Sequence, residues 1–143
     1  MTTGANVKLL VPIDFEAASA KALALAKDLA ARLGGQVVLV HAYQLPVYTY
    51  PGLEPTLLPG FHTEVAAAAQ RALDQLAKQE GVAAVLREGD PATEVLAAAQ
   101  ELGATMIVMG THGRTGVAHL ILGSVAEKIV RKSPVPVVTV RAD

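Results

Sequence analysis

Five short apolar runs alternate with four longer stretches of helical spacing, and this alternation limits the fold more than any other feature of the chain. The runs are Val7–Pro12, Gln36–Ala42, Ala83–Arg87, Thr105–Met109 and Val137–Arg141. Some are apolar at successive positions, as in Val37-Val38-Leu39-Val40 and Met106-Ile107-Val108-Met109. Neighbouring residues of a strand point to opposite faces, so such a run is covered on both sides, as in a parallel sheet. Between the runs lie Glu16–Leu33, Thr63–Glu80, Pro91–Leu102 and Ser124–Lys132. Leu23, Ala26, Leu29, Ala30 and Leu33 recur at the helical period, as do Val65, Ala69, Ala72, Leu73 and Leu76. Gly34, Gly81 and Gly103 follow three of these stretches as C′ residues. Asp90 and Pro91 read as an N-cap with proline at the first helical position. The expected fold is α/β: a single-domain, doubly wound open parallel sheet of five strands with helices on both faces. A length of 143 residues suits one domain over 1–143.

In an open sheet of this kind, ligands bind outside the carboxyl ends of the strands, where the strand order reverses. A glycine-spaced loop follows the fourth run: Met109-Gly110-Thr111-His112-Gly113-Arg114-Thr115-Gly116, then Leu122-Gly123-Ser124 at the start of the last helix. A strand, a glycine loop and a helix start are the parts of a phosphate cradle. Glycine permits φ > 0 and close approach of an anion, and the helix start offers unpaired N–H groups and the positive end of a dipole. The spacing is G-x2-G-x9-G-S, carried by Gly110, Gly113, Gly123 and Ser124. It is neither the G-x-x-x-x-G-K-[ST] of a P-loop nor a G-x-G-x-x-G after the first strand. A structural reading stands beside the functional one. Gly110 then only ends a strand, Gly123 only permits a close helix–sheet contact, and Ser124 with Glu127 forms an S-x-x-E capping box.

Composition narrows the function. Hydrophobic residues make up 52% and charged residues 17%, which speaks against disorder. A net charge of −1 gives no electrostatic footprint for nucleic acid. The absence of cysteine excludes a disulfide framework, a thiol nucleophile and a thiolate metal site. Met1–Val7 lacks the build of a signal peptide and no apolar run approaches membrane-spanning length, so a cytoplasmic protein without membrane contact is expected. The four histidines show no H-E-x-x-H or H-x-H spacing. His112 and His119 fall in the glycine loop, His41 ends a strand as a half-buried residue, and His62 starts a helix. Tyr43–Gly60 holds four of the eight prolines and all three tyrosines; it reads either as a lid over the crevice or as a connector.

These motifs, in this order, resemble the universal stress protein family over nearly the whole chain. The carriers are Pro12 and Asp14 after the first strand, Val40-His41-Ala42, Gly89-Asp90-Pro91, the glycine signature, and the tail Ser133-Pro134-Val135-Pro136-Val137-Val138. The resemblance implies strand order 3-2-1-4-5, which brings Pro12-Ile13-Asp14 and the glycine loop to one crevice. It further implies the ATP-binding branch, with Pro12, Asp14, Ala42, Met109, Gly110, Gly113, Gly123, Ser124 and Val125 around the nucleotide. In that reading amides of Gly113 and Gly123–Val125 meet phosphate oxygens, Ser124 adds a hydroxyl, and Gly110 turns the chain beneath the ribose. Backbone groups at Ala42 read the adenine edge, and Arg114 is the nearest cation in sequence. Asp14 either accepts from the ribose or the base, or caps the first helix. Mg²⁺ or Mn²⁺ rides on the phosphates rather than in a protein cage. Catalytic residues are not evident, so ATP, ADP or AMP is expected to be held by a regulatory protein rather than turned over efficiently. The alternatives are a slow ATPase or phosphotransferase, and a nucleotide-free partner-binding protein of the same fold. The last strand, β-branched and preceded by two prolines, suits a sheet edge that pairs with its copy in a homodimer.

Overall fold

The structure is a computed structural model, and it describes residues 7–45, 51–52, 61–111 and 122–142. Among the described residues nine elements alternate: β1 (Lys8–Pro12), α1 (Ala17–Leu33), β2 (Gln36–Tyr43), α2 (Phe61–Glu80), β3 (Ala83–Glu88), α3 (Pro91–Leu102), β4 (Met106–Gly110), α4 (Ser124–Lys132) and β5 (Val137–Val140). The five strands form one parallel sheet in the order β3-β2-β1-β4-β5, as expected.

The doubly apolar strands are buried on both faces. Leu10, Val38, Val40, Ile107 and Met109 pack beneath Ala92, Val95, Ala98 and Ala99 of α3 and beneath Ala126 and Ile129 of α4. On the other face Leu9, Val11, Val37, Leu39 and Val108 meet Ala22, Leu23, Ala26 and Ala30 of α1 and Leu73 of α2. The alanines that line both layers let the helices sit close to the sheet. α3 starts and ends where its caps lie. Asp90 accepts from the Thr93 amide at 3.0 Å, and Gly103 takes the left-handed conformation with φ 67°.

Boundary differences have local causes. β2 continues to Tyr43 because β3 runs alongside it to Glu88, and the Gly89 amide donates to the Tyr43 carbonyl at 2.8 Å. β4 starts one residue late: Thr105 bridges to Lys8 instead, its amide donating to the Lys8 carbonyl and its hydroxyl accepting from the Lys8 amide. β4 then includes Gly110, which pairs with Val140. Most of the Tyr43–Gly60 segment, residues 46–50 and 53–60, lies outside the described residues.

Candidate functional site

β1 and β4 are neighbours, while α1 leaves β1 for one face of the sheet and α4 covers the other. Their carboxyl ends therefore open a crevice at the switch in strand order. Its volume is about 460 Å³. The β1 side is formed by Pro12, Ile13, Asp14 and Ser19, and the β2 side by Val40, His41 and Ala42. Met109, Gly110 and Thr111 form the β4 side, Pro91 and Val95 a wall from α3, and Gly123–Ala126 the start of α4. Of the residues singled out in the sequence, the structure thus brings Pro12, Asp14, Ala42, Met109, Gly110, Gly123, Ser124 and Val125 to one crevice. Gly113 and Arg114, like His112 and His119, lie outside the described residues.

The β1 rim is built by a turn rather than by a helix cap. Ile13 prolongs the sheet, its amide donating to the Val40 carbonyl at 2.8 Å. Asp14 does not cap α1: its Oδ1 accepts from the Glu16 amide at 2.9 Å, an Asx turn, and the N-cap position falls to Glu16. α1 therefore begins at Ala17, one residue later than expected, because that turn spends the carboxylate before the helix starts. Phe15, between them, has φ 64°, a conformation uncommon for a residue with a Cβ. Its ring lies edge-on to His41, with centroids 4.9 Å apart and planes at 66°. His41 is half-buried, and its Nδ1 donates to the Ile13 carbonyl at 2.7 Å, which directs Nε2 to serve as the acceptor of the neutral ring.

Gly110 does not turn the chain away, since it is the last paired residue of β4 and its φ is not in the left-handed region. A Cβ there would lie 2.6 Å from Ala18 Cβ and 2.7 Å from the Ala18 carbonyl carbon. The position demands glycine because α1 crosses directly over it. Beyond it, the Thr111 amide donates to the Val140 carbonyl at 2.9 Å, and its own carbonyl accepts from the Gly123 amide at 2.8 Å. That pair of bonds ties the end of β4 to β5 and to the start of α4.

The capping box is absent. Gly123 is the N-cap of α4, with φ −72° and ψ 170°, and among the described residues no side chain caps the helix start. Ser124 is the first helical residue, one position too late to cap, and Glu127 turns its carboxylate to Arg131 Nε at 3.0 Å. The first turn of α4 thus faces the crevice with its amides free of a side-chain acceptor among the described residues. α4 is held by buried Ala126 and Ile129 and by an ion pair to α3, Lys128 Nζ to Asp90 Oδ2 at 3.3 Å. Hydrogen bonds from the Thr93 amide and hydroxyl, then from Lys128, hold the Asp90 carboxyl below the usual carboxylate range.

The arrangement offers apolar walls at the β1–β2 side and a set of neutral donors at the β4–α4 side. His41, Thr111, Ser19 and Val95 were not singled out as site residues from the sequence. His41 and Thr111 sit inside the very motifs that were quoted, but nothing in their spacing separates a lining residue from a neighbour. Among the described residues no helix is long and apolar enough to cross a membrane, and no three histidine, aspartate or glutamate side chains gather as for a metal ion.

Comparison with known proteins bears on the same residues. The chain is 33% identical to the universal stress protein YxiE of Bacillus subtilis, over 94% of this chain and 98% of that one. It is 36% identical to a universal stress protein of Thermus aquaticus, over 93% and 97%. The fold is shared with the universal stress protein UspA of Lactobacillus plantarum, with a TM-score of 0.77 at 20% identity over 95% of this chain and 98% of that one. Residues 6–141 match the model of the universal stress protein family, and the chain belongs to that family.

Proposed function

We propose that this protein binds an adenine nucleotide at the carboxyl ends of β1 and β4, as a member of the ATP-binding branch of its family, and serves a stress or regulatory role. The observation that carries the reading is the start of α4, whose amides meet no side-chain acceptor among the described residues, opening into a crevice at the strand-order switch. Free helix-start amides and the positive end of the helix dipole suit phosphate oxygens, and Ser124 at the first helical position supplies a hydroxyl there. The apolar walls at Pro12, Val40, Ala42 and Met109 suit a planar base. The volume of about 460 Å³ falls within the range of roughly 300–1,000 Å³ usual for ligand pockets. Gly113 and Arg114 complete the cradle in this reading, Asp14 meets the ribose or the base, and Mg²⁺ or Mn²⁺ is carried by the phosphates. The nucleotide is ATP, ADP or AMP.

The protein holds the nucleotide more than it hydrolyses it. Binding needs amides, a dipole and hydroxyls, whereas fast phosphoryl transfer also needs a positioned nucleophile and a base beside it. The β5 edge pairs with its copy to form a homodimer, and the cytoplasm is the compartment.

The site is tested by Ser124→Asp in titration calorimetry with ATP and Mg²⁺. An aspartate in the first turn suits the dipole, so the fold is retained, but its charge opposes phosphate. Loss of at least tenfold in ATP affinity with an unchanged melting temperature is expected. Undiminished ATP binding by the variant would place the phosphates elsewhere.

A further inference from the structure

Two polar side chains are buried among the described residues, Ser19 at 4% exposure and Thr111 at 6%. Ser19 is satisfied on both sides. Its hydroxyl donates to the Glu16 carbonyl at 3.1 Å and accepts from the Asp14 amide at 3.4 Å. Thr111 spends its amide on Val140 and its carbonyl on Gly123, and among the described residues its hydroxyl has no partner. Leaving a buried hydroxyl unmatched costs free energy, so native structures rarely keep one without a partner.

Thr111 also lines the crevice, and its carbonyl bond to the Gly123 amide fixes it beside the N-cap of α4. We infer that the Thr111 hydroxyl is a ligand-binding group of the crevice, donating to a phosphate oxygen of the bound nucleotide. The inference rests on the nucleotide reading above and assigns a further specificity-determining residue to it. The position next to the helix start selects an anionic oxygen as the partner, because the helix dipole favours negative charge there. Among the described lining residues none is lysine or arginine. Neutral donors therefore make up the described part of the phosphate site. A hydroxyl that meets only the ligand contributes to affinity and nothing to the stability of the empty protein. This separates it from a structural threonine, whose removal lowers both.

The experiment compares the wild type, Thr111→Val and Thr111→Ser, each freed of nucleotide, in titration calorimetry with ATP–Mg²⁺ and with adenosine, and in thermal melts without ligand. Thr111→Val should weaken ATP at least about tenfold, the scale of a lost hydrogen bond to a charged group, and leave adenosine within about twofold. Thr111→Ser should stay within about threefold for both ligands. Nucleotide-free Thr111→Val should melt at or above the wild-type temperature, since no bond is lost. If the valine variant does not fold, Thr111→Ala carries the same expectations for the two ligands. ATP binding by the wild type that the valine leaves intact overturns the role of Thr111 alone. So does an equal loss for adenosine, or a lowered melting temperature in the folded variant. Failure of the wild type to bind ATP overturns the nucleotide reading and this inference with it.

Discussion

Gly110 illustrates why a motif residue needs its neighbours before its role can be read. In sequence it is the first glycine of a phosphate-loop signature; in the fold it is the point where α1 crosses β4. A Cβ there meets both Ala18 Cβ and the Ala18 carbonyl carbon. Gly110→Ala should destabilise the protein by about 1–3 kcal/mol in chemical denaturation, the usual cost of overpacking. Ala18→Gly should restore only part of that, because the backbone atom remains in the way. Asp14 is a similar case. Whether it caps a helix or starts a turn depends on Phe15, whose φ of 64° no spacing rule foresees. Asparagine keeps the acceptor that Glu16 needs, so Asp14→Asn should change stability by less than about 0.5 kcal/mol. Steady-state assays should show wild-type ATP turnover far below the median enzyme rate of about 10 s⁻¹. Turnover near that rate, abolished by Asp14→Asn, would make this protein an enzyme.

The helices were legible where their ends carry their own chemistry. α3 runs from Pro91 to Leu102 as expected because Asp90, Pro91 and Gly103 punctuate it. The start of α4 at Ser124 was also legible, but its capping was not. Gly123 takes the N-cap, and Arg131, one turn further on, claims the Glu127 carboxylate. Side-chain spacing names the possible pairs and leaves the choice to the three-dimensional neighbours. Asp90 does double duty, capping α3 and holding Lys128 of α4. Its pKa is lowered in the fold, so its stabilising contribution is complete above the ordinary aspartate pKa, about 3.9, and fades as the pH falls through the lower folded value. Melting curves should therefore show Asp90→Ala below wild type at neutral pH, with the gap narrowing as the pH falls toward and below that range. α2 depends on Leu73, which it buries completely against the sheet face shared with α1. Leu73→Ala should cost about 2–5 kcal/mol, read from the denaturation midpoint.

At the scale of the whole molecule, the alternation of apolar runs and helices was enough for the layered architecture, and the family signature supplied the strand order. The exposed edges follow from that order. β5 presents one side to β4, where the carbonyls of Pro136 and Val140 accept from Ile107 and Thr111. By alternation Thr139 directs its backbone groups to the free edge. Thr139→Pro removes a donor from that edge and leaves the pairing with β4 intact. In light scattering the wild type should have about twice the chain mass of 14.8 kDa, and the proline variant should be a monomer. A wild-type monomer at micromolar concentration would remove the dimer from the account. The central claim is that a nucleotide occupies the carboxyl ends of β1 and β4. It is tested most directly by following the backbone amides in a nuclear magnetic resonance titration with ATP–Mg²⁺. Saturable shifts should concentrate at Ala42, Gly110, Thr111, Ser124 and Val125 and spare Gly35, Gly81 and Gly103 at the opposite end of the sheet. Shifts confined to that opposite end, or no saturable shift at millimolar ATP, would contradict it.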